Sequence, residues 1–251
     1  GILGALYFVT MIFVHFMISV DFLMALVPGW IDALLPITQT HNAMQAGVAT
    51  VIITMFLLRR FGGYQDYIGL EHFWAMGKLL FALSLLWFWF WFSSFNVMWY
   101  GKKPNEQAVF DLFIKGPYMP IFYLTFVTVF VLPLFTMIWN FLRRSIWGPT
   151  LIAVSVLIGT FFDRVRLYVA SYSVSDQSAN HEGIEVIPPT MYPDVADVFI
   201  VVGAIGGAVF LYLMATRVIP VINIWEQKEL LLYKVHKKYH RTVVMVLGKP
   251  E

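Results

Sequence analysis

Residues Ile2 to Val27 read ILGALYFVTMIFVHFMISVDFLMALV and stop at Pro28-Gly29-Trp30. A helix that crosses a bilayer needs about 20 largely apolar residues, because each residue advances about 1.5 Å through a hydrocarbon core of about 30 Å. This stretch is long enough, and it holds no Lys or Arg. Comparable runs follow at about 37–58 (closed by Arg59-Arg60), 69–100, 118–141 (closed by Arg143-Arg144), 149–170 and 197–222. None alternates in the ten-residue pattern of a membrane β-barrel. Helices satisfy their own backbone polar groups in lipid. The pattern predicts an all-α polytopic transmembrane bundle of about six spans over residues 1–222, a four-helix bundle plus two further helices. A cytoplasmic C-terminal tail follows over 223–251.

Composition agrees. Of 251 residues, 59% are hydrophobic and 13% charged, about half the charge of a soluble domain. Mean hydropathy is +0.73. The net charge of +2 gives no reason to expect a nucleic-acid partner. With no cysteine, the chain can hold no disulfide, iron–sulfur cluster or thiolate zinc site. Its six histidines lack metal-ligand spacing, so no metal site is expected.

Lys and Arg favour cytoplasmic loops. The segment between the first two runs has neither, and that between the last two, about 171–196, has only acids: Asp176, Glu182, Glu185 and Asp194. Arg59, Arg60, Arg143, Arg144 and the tail residues Lys228, Lys234, Lys237, Lys238, Arg241 and Lys249 mark the opposite face. Lys102, Lys103 and Lys115 in the 101–117 loop vote the other way. The expected orientation places both ends of the chain in the cytoplasm.

Titratable residues within a span are costly and are usually paired or functional. His15 lies near the middle of the first run, with Ser19 and Asp21 beyond it and His41 early in the second. His15, Asp21 and His41 are candidate quinone-binding residues. His15, Asp21, Glu71, His72 and Lys78 are candidate proton carriers, since a desolvated carboxyl or imidazole can be tuned to exchange protons near neutral pH. Glu71 and His72 equally suit a helix cap, and Lys78 can snorkel to the interface. Asp163, Arg164 and Arg166 are candidates for a structural ion pair. The run Trp87-Phe88-Trp89-Phe90-Trp91-Phe92 covers every face of its helix, suited to lipid contact and packing, or to stacking a quinone ring. Gly203, Gly206 and Gly207 suit close helix approach. No residue set of a catalytic centre is present.

Several blocks occur together and in order. They are Asp21-Phe22-Leu23-Met24-Ala25-Leu26-Val27-Pro28-Gly29-Trp30; Tyr67-Ile68-Gly69-Leu70-Glu71-His72 with Met76-Gly77-Lys78-Leu79-Leu80; Trp99-Tyr100 with Asn105-Glu106; Asp163-Arg164-Val165-Arg166-Leu167; Pro189-Thr190-Met191-Tyr192-Pro193; and Arg217-Val218-Ile219-Pro220-Val221 with Glu226-Gln227-Lys228. In this order they resemble NrfD/PsrC-like integral membrane subunits, most of all the large NrfD-like subunits (ActC/ActF type) of alternative complex III. Asp163 stands where that family usually has Glu, and family members have eight to ten spans, so the resemblance implies the C-terminal portion of such a subunit. It also implies a place in a bacterial cytoplasmic membrane, in a quinol-oxidising electron-transfer complex. Menaquinol or another quinol would be the substrate. Haem c and iron–sulfur clusters would lie in partner subunits: an iron–sulfur protein, multihaem cytochromes c and a second NrfD-like membrane subunit. A secondary transporter or channel, or a purely structural anchor, are the alternative readings.

Overall fold

The computed structural model describes residues 2–175, 183–223 and 228, and the backbone of 234–239 and 242–247. Asp176, Glu182, Glu226, Gln227, Arg241 and Lys249, to which the sequence reading refers, lie outside the described residues. The chain divides into two compact units, Gly1–Met191 and Tyr192–Glu251.

The first unit is helical. It comprises α1 (Ile2–Asp21), α2 (Leu35–Phe61), α3 (Leu70–Gly101), α4 (Pro104–Phe110), α5 (Met119–Phe126), α6 (Leu132–Met137), α7 (Asn140–Arg143) and α8 (Trp147–Ser175). A π turn over Asp111–Lys115 extends α4, and a second over Val127–Val131 joins α5 to α6. Pro133 explains the second π turn. Proline has no N–H and its ring crowds the carbonyl four residues back, so the ladder needs a local wider turn.

Among the described residues, five helical segments are long and apolar enough to cross a membrane: Ile2–Leu26, Leu35–Phe61, Leu70–Gly101, Met119–Met137 and Val195–Ala215. At 29 residues α8 has the length as well, about 43 Å by the helical rise. Its charges sit within the bundle. Asp163 and Arg166 are 2% and 5% exposed, while Leu151, Val154, Ile158 and Phe161, spaced by three and four residues, face outward. The protein is thus a multi-pass membrane protein built as a helical bundle of about six spans. Side chains in such a bundle are held by close packing rather than by hydrophobic transfer, since lipid tails are as apolar as leucine.

Helix α8 is the interior member of the first unit. It packs against α2, α3, α5, α6 and the intervening π turn, while α2 also contacts α1 and α3. At Gly159 the approach leaves no room for a side chain, because a Cβ there would lie 2.1 Å from Thr128 Oγ1 and 2.6 Å from Val129 Cγ2. Thr125 Oγ1 donates to Gly159 O at 3.4 Å, and Ser155 Oγ donates to Thr128 O at 3.1 Å. α1 contributes one buried residue, Ser19, and shows apolar side chains such as Leu6, Phe13 and Phe16 outward.

An apolar cluster closes one end of the bundle. Leu23, Val27 and Trp30 after α1 meet Leu35 of α2, Val109, Leu112 and Phe113 of the α4 region, Tyr118, and Leu167, Ala170 and Val174 of α8. Lys102, in the left-handed conformation at φ 48°, ends α3 and turns the chain across that end. Gln107 Nε2 donates to Met98 O at 2.8 Å, tying the crossing segment down. The connection after α8 meets it too, with Met191 N donating to Tyr118 Oη at 3.2 Å.

In the second unit, α9 (Val195–Ala215) begins with a reciprocal cap. Asp197 N donates to Asp194 Oδ1 at 2.9 Å, and Asp194 N donates to Asp197 Oδ2 at 3.0 Å. The helix ends at Ala215 rather than near Ile222 as the run length predicts. Pro220 lies just beyond, and a proline disfavours helix in the residue before it. The segment expected as a C-terminal tail contains an antiparallel hairpin, β1 (Lys234–Tyr239) with β2 (Thr242–Leu247), Lys234 opposite Leu247. Thr242, Val243, Val244 and Val246 are the β-branched residues that favour it.

Candidate functional site

The start of α2 carries an unusual sequence for a membrane span: Thr38-Gln39-Thr40-His41-Asn42, then Gln45. Gln39, Asn42 and Gln45 are three residues apart, so they share one helix face, and each is fully buried. They face the charged part of α8 and the middle of α3. Asn42 Nδ2 donates to Asp163 Oδ2 at 2.7 Å, and Gln45 Nε2 donates to Ser84 Oγ at 2.9 Å. Ser84 Oγ passes the series on to Leu80 O at 3.1 Å.

Asp163 is held from two sides. Arg166 Nη2 bonds its other oxygen, Oδ1, at 2.7 Å, one turn along α8. Arg166 Nη1 donates to Phe113 O at 2.9 Å, and its guanidinium lies 5.3 Å from the Phe122 ring. The pair expected from the sequence is therefore Asp163–Arg166. Arg164 points elsewhere, its Nη2 donating to Gln39 O at 3.4 Å.

Above this pair lies a cavity of about 90 Å³, reached by residues of every surrounding element. Trp30 and Asp32 come from the connection after α1, Thr38 and Gln39 from α2, and Trp87, Trp91 and Ser94 from α3. The crossing segment supplies Phe110 and Phe113, and α8 supplies Asp163 and Arg166. Five of its lining residues carry buried polar atoms with no partner among the described residues: Trp30 Nε1, Trp87 Nε1, Trp91 Nε1, Arg166 Nε and both amide atoms of Gln39. A buried polar atom left unpaired costs about 1–3 kcal/mol. Several around one cavity mark a place that holds water or a polar ligand. The space is several times the roughly 15 Å³ of probe volume that one water requires.

Asp32 adds a titratable group outside the spans. Its Oδ1 accepts from Leu34 N at 2.9 Å and from Ser94 Oγ at 3.4 Å. Burial pushes its carboxyl above the ordinary carboxylate value, outweighing the lowering effect of those hydrogen bonds, and the Glu106 charge pushes the same way. The site therefore combines aromatic walls, unpaired N–H donors, a fixed carboxylate–guanidinium pair and a carboxyl inclined to hold a proton. Such a set can grip a flat ring bearing oxygen at both ends, and can take a proton from it.

Of the residues singled out from sequence, Asp163, Arg166, Trp87 and Trp91 line the cavity, while the candidate quinone ligands and proton carriers lie around it. His41 is buried beside it, with Nε2 2.8 Å from Leu83 O and its ring edge-on to Phe90 at 5.5 Å. His15 Nδ1 is 2.8 Å from Met11 O on its own helix, and Asp21 is exposed at the end of α1. Neither lines the cavity. Glu71 and His72 sit in the first turn of α3, where His72 Nδ1 accepts from Gly69 N at 3.0 Å as a cap. Lys78 is exposed, its Nζ 3.9 Å from the Trp74 ring. These three are at the opposite end of α3 from Trp91 and Ser94. The aromatic run divides by face: Trp87 and Trp91 line the cavity, Phe88 stacks on Phe130 at 4.3 Å, and Trp89 is 64% exposed.

Among the described residues, no group of three or more His, Cys, Asp or Glu could hold a metal ion. Searches against known proteins return no matching family model and no matching curated sequence.

Proposed function

We propose that this chain is a membrane subunit of a quinol-oxidising electron-transfer complex of the NrfD-like, alternative complex III type, and that the cavity beneath Trp30 seats the quinol headgroup. The observation that carries the reading is the ring of unpaired indole and amide groups around a cavity that also contains Asp32 and the Asp163–Arg166 pair. A quinol is an aromatic diol. Its ring matches walls built from Trp87, Trp91 and Phe113, and its oxygens match the unsatisfied donors. Oxidation releases two protons with two electrons. Asp32, whose carboxylate is made more basic than usual by burial, accepts one, and the other passes to water.

The ordered blocks of sequence that resemble the NrfD-like family support the same reading. On it, the orientation follows the arginines: Arg59 and Arg143 lie on the cytoplasmic side of a bacterial inner membrane, and the cavity lies near the outer face. Electrons leave to haem c or iron–sulfur centres in partner subunits, since this chain has no cysteine with which to hold a cluster. The Gln39, Asn42, Gln45 and Ser84 series supplies a polar route inward from the cavity over about 9 Å of helix.

Quinone titrated into the chain in lipid nanodiscs tests this directly, with indole fluorescence as the readout. Saturable quenching is expected. Gln39→Leu, which removes an unpaired amide from the cavity wall without adding charge, should raise the midpoint about tenfold, the cost of one lost hydrogen bond of ~1.4 kcal/mol. Linear, non-saturating quenching would refute the assignment.

A further inference from the structure

A second cavity, of about 400 Å³, lies at the far end of the bundle from the first and is lined by Phe56, Arg59, Arg60, Gln65, Ile146 and Trp147. We infer that it is a binding site for the phosphate of an anionic phospholipid. Arg59 and Arg60 occupy the last turn of α2, where the helix dipole favours positive charge. The Arg59 guanidinium is fixed in place, Nη1 donating to Gln65 O at 2.7 Å and also to Ile68 O. Those partners are neutral carbonyls. Among the described residues no carboxylate is within ion-pair distance of Arg59 or Arg60, the ion pairs being His72–Glu71, Lys103–Glu106, Lys115–Asp111 and Arg166–Asp163. Two adjacent positive charges, one held by the backbone, thus face a cavity that contains no acid.

The remaining lining decides which phosphate. Phe56 and Trp147 form an aromatic wall, their ring centroids 4.9 Å apart, and Ile146 continues it. Phe56 and Trp147 belong to α2 and α8, both of which run on into the bundle as spans. A ligand here meets guanidinium at its head and an aromatic, apolar surface beside it. That is the arrangement an anionic lipid presents at a membrane surface, where each nearby Lys or Arg contributes about 1 kcal/mol. A soluble phosphate ester would use the arginines and leave the wall unused.

Native mass spectrometry of the full chain, purified after exchange into mixed phosphatidylglycerol and phosphatidylcholine, reads the site. The wild type should retain phosphatidylglycerol in preference to phosphatidylcholine. Arg60→Gln should lower that preference about fivefold, the loss of one basic contact. Gln65→Glu, at an exposed position whose backbone contact to Arg59 is untouched, should lower it as well by placing a carboxylate in the cavity. Added inorganic phosphate should leave the retained lipid in place. Equal retention of the two lipids, unchanged retention in both variants, or displacement by inorganic phosphate would each overturn the proposal, the last by assigning the cavity to a soluble phosphate.

Discussion

Two carboxyl groups of the site have different neighbours. Asp163 faces a guanidinium at 2.7 Å and an amide at 2.7 Å. Removing it with Asp163→Leu leaves Arg166 charged and unpaired in a 5% exposed position, which should cost about 3–5 kcal/mol in unfolding experiments in detergent. Asp163→Asn keeps a hydrogen-bonding group and should cost less. Asp32 has no cation, and burial holds its folded pKa above the unfolded value. The folded protein therefore binds the proton more tightly than the unfolded chain. That stabilisation is fully present below the unfolded pKa and is lost as pH rises through the folded one. The melting temperature of the wild type should fall over this window relative to Asp32→Asn, whose profile should be flatter. Parallel profiles would show that Asp32 does not titrate in this way. Of these two residues, the sequence singled out Asp163 and its partner because charges within an apolar run stand out. Asp32 did not stand out, since it lies in the connection between two runs, where a carboxylate is expected to meet water. The Thr38–Gln45 run was a readable signal of the site, as uncharged amides in a span also need partners.

At the scale of elements, the positions of the spans were legible and their internal irregularities were not. Length and hydropathy place α2 and α3 to within three residues and locate α1 and α8, whose far ends differ by about six and five residues, because a bilayer enforces a minimum apolar length. The shortening of α9 and the break after Met137 depend on turns, which hydropathy does not report. Packing at Gly159 supplies a test of the α8 contact. Gly159→Leu puts a side chain into Thr128 and Val129 of the neighbouring π turn and should destabilise by about 1–3 kcal/mol, the range for overpacking. At Lys102 the left-handed backbone penalises a side chain. Lys102→Gly should stabilise by about 1 kcal/mol, measured in the same unfolding assay.

For the whole molecule, the orientation assigned from Lys and Arg is open to a clean experiment because the chain has no cysteine. A single cysteine at Asn105, beside the first cavity's closing segment, and another at Gly63, beside Arg59, should react with an impermeant thiol reagent from opposite faces of intact vesicles. The lysines at 102, 103 and 115 argued against the assignment. Two of them are engaged locally, Lys103 with Glu106 at 3.8 Å and Lys115 with Asp111 at 4.0 Å, so their charge is partly balanced where they stand. Labelling of both positions from one side would refute the topology, and with it the proposed placement of the first cavity near the outer face.

The π turn at Val127–Val131 has one more consequence. Such a turn accommodates an extra residue without bending the axis far, so the faces presented before and after it are out of phase by about 100°, the advance of a single helical residue. Phe122 and Phe126 on one side, and Pro133 and Met137 on the other, therefore cannot be projected onto one regular wheel. Excising Val127 would remove the extra residue and regularise the ladder while both halves keep the faces they now present, whereas excising a residue outside the turn would swing one half by that angle and carry its inward aromatic rings toward the lipid.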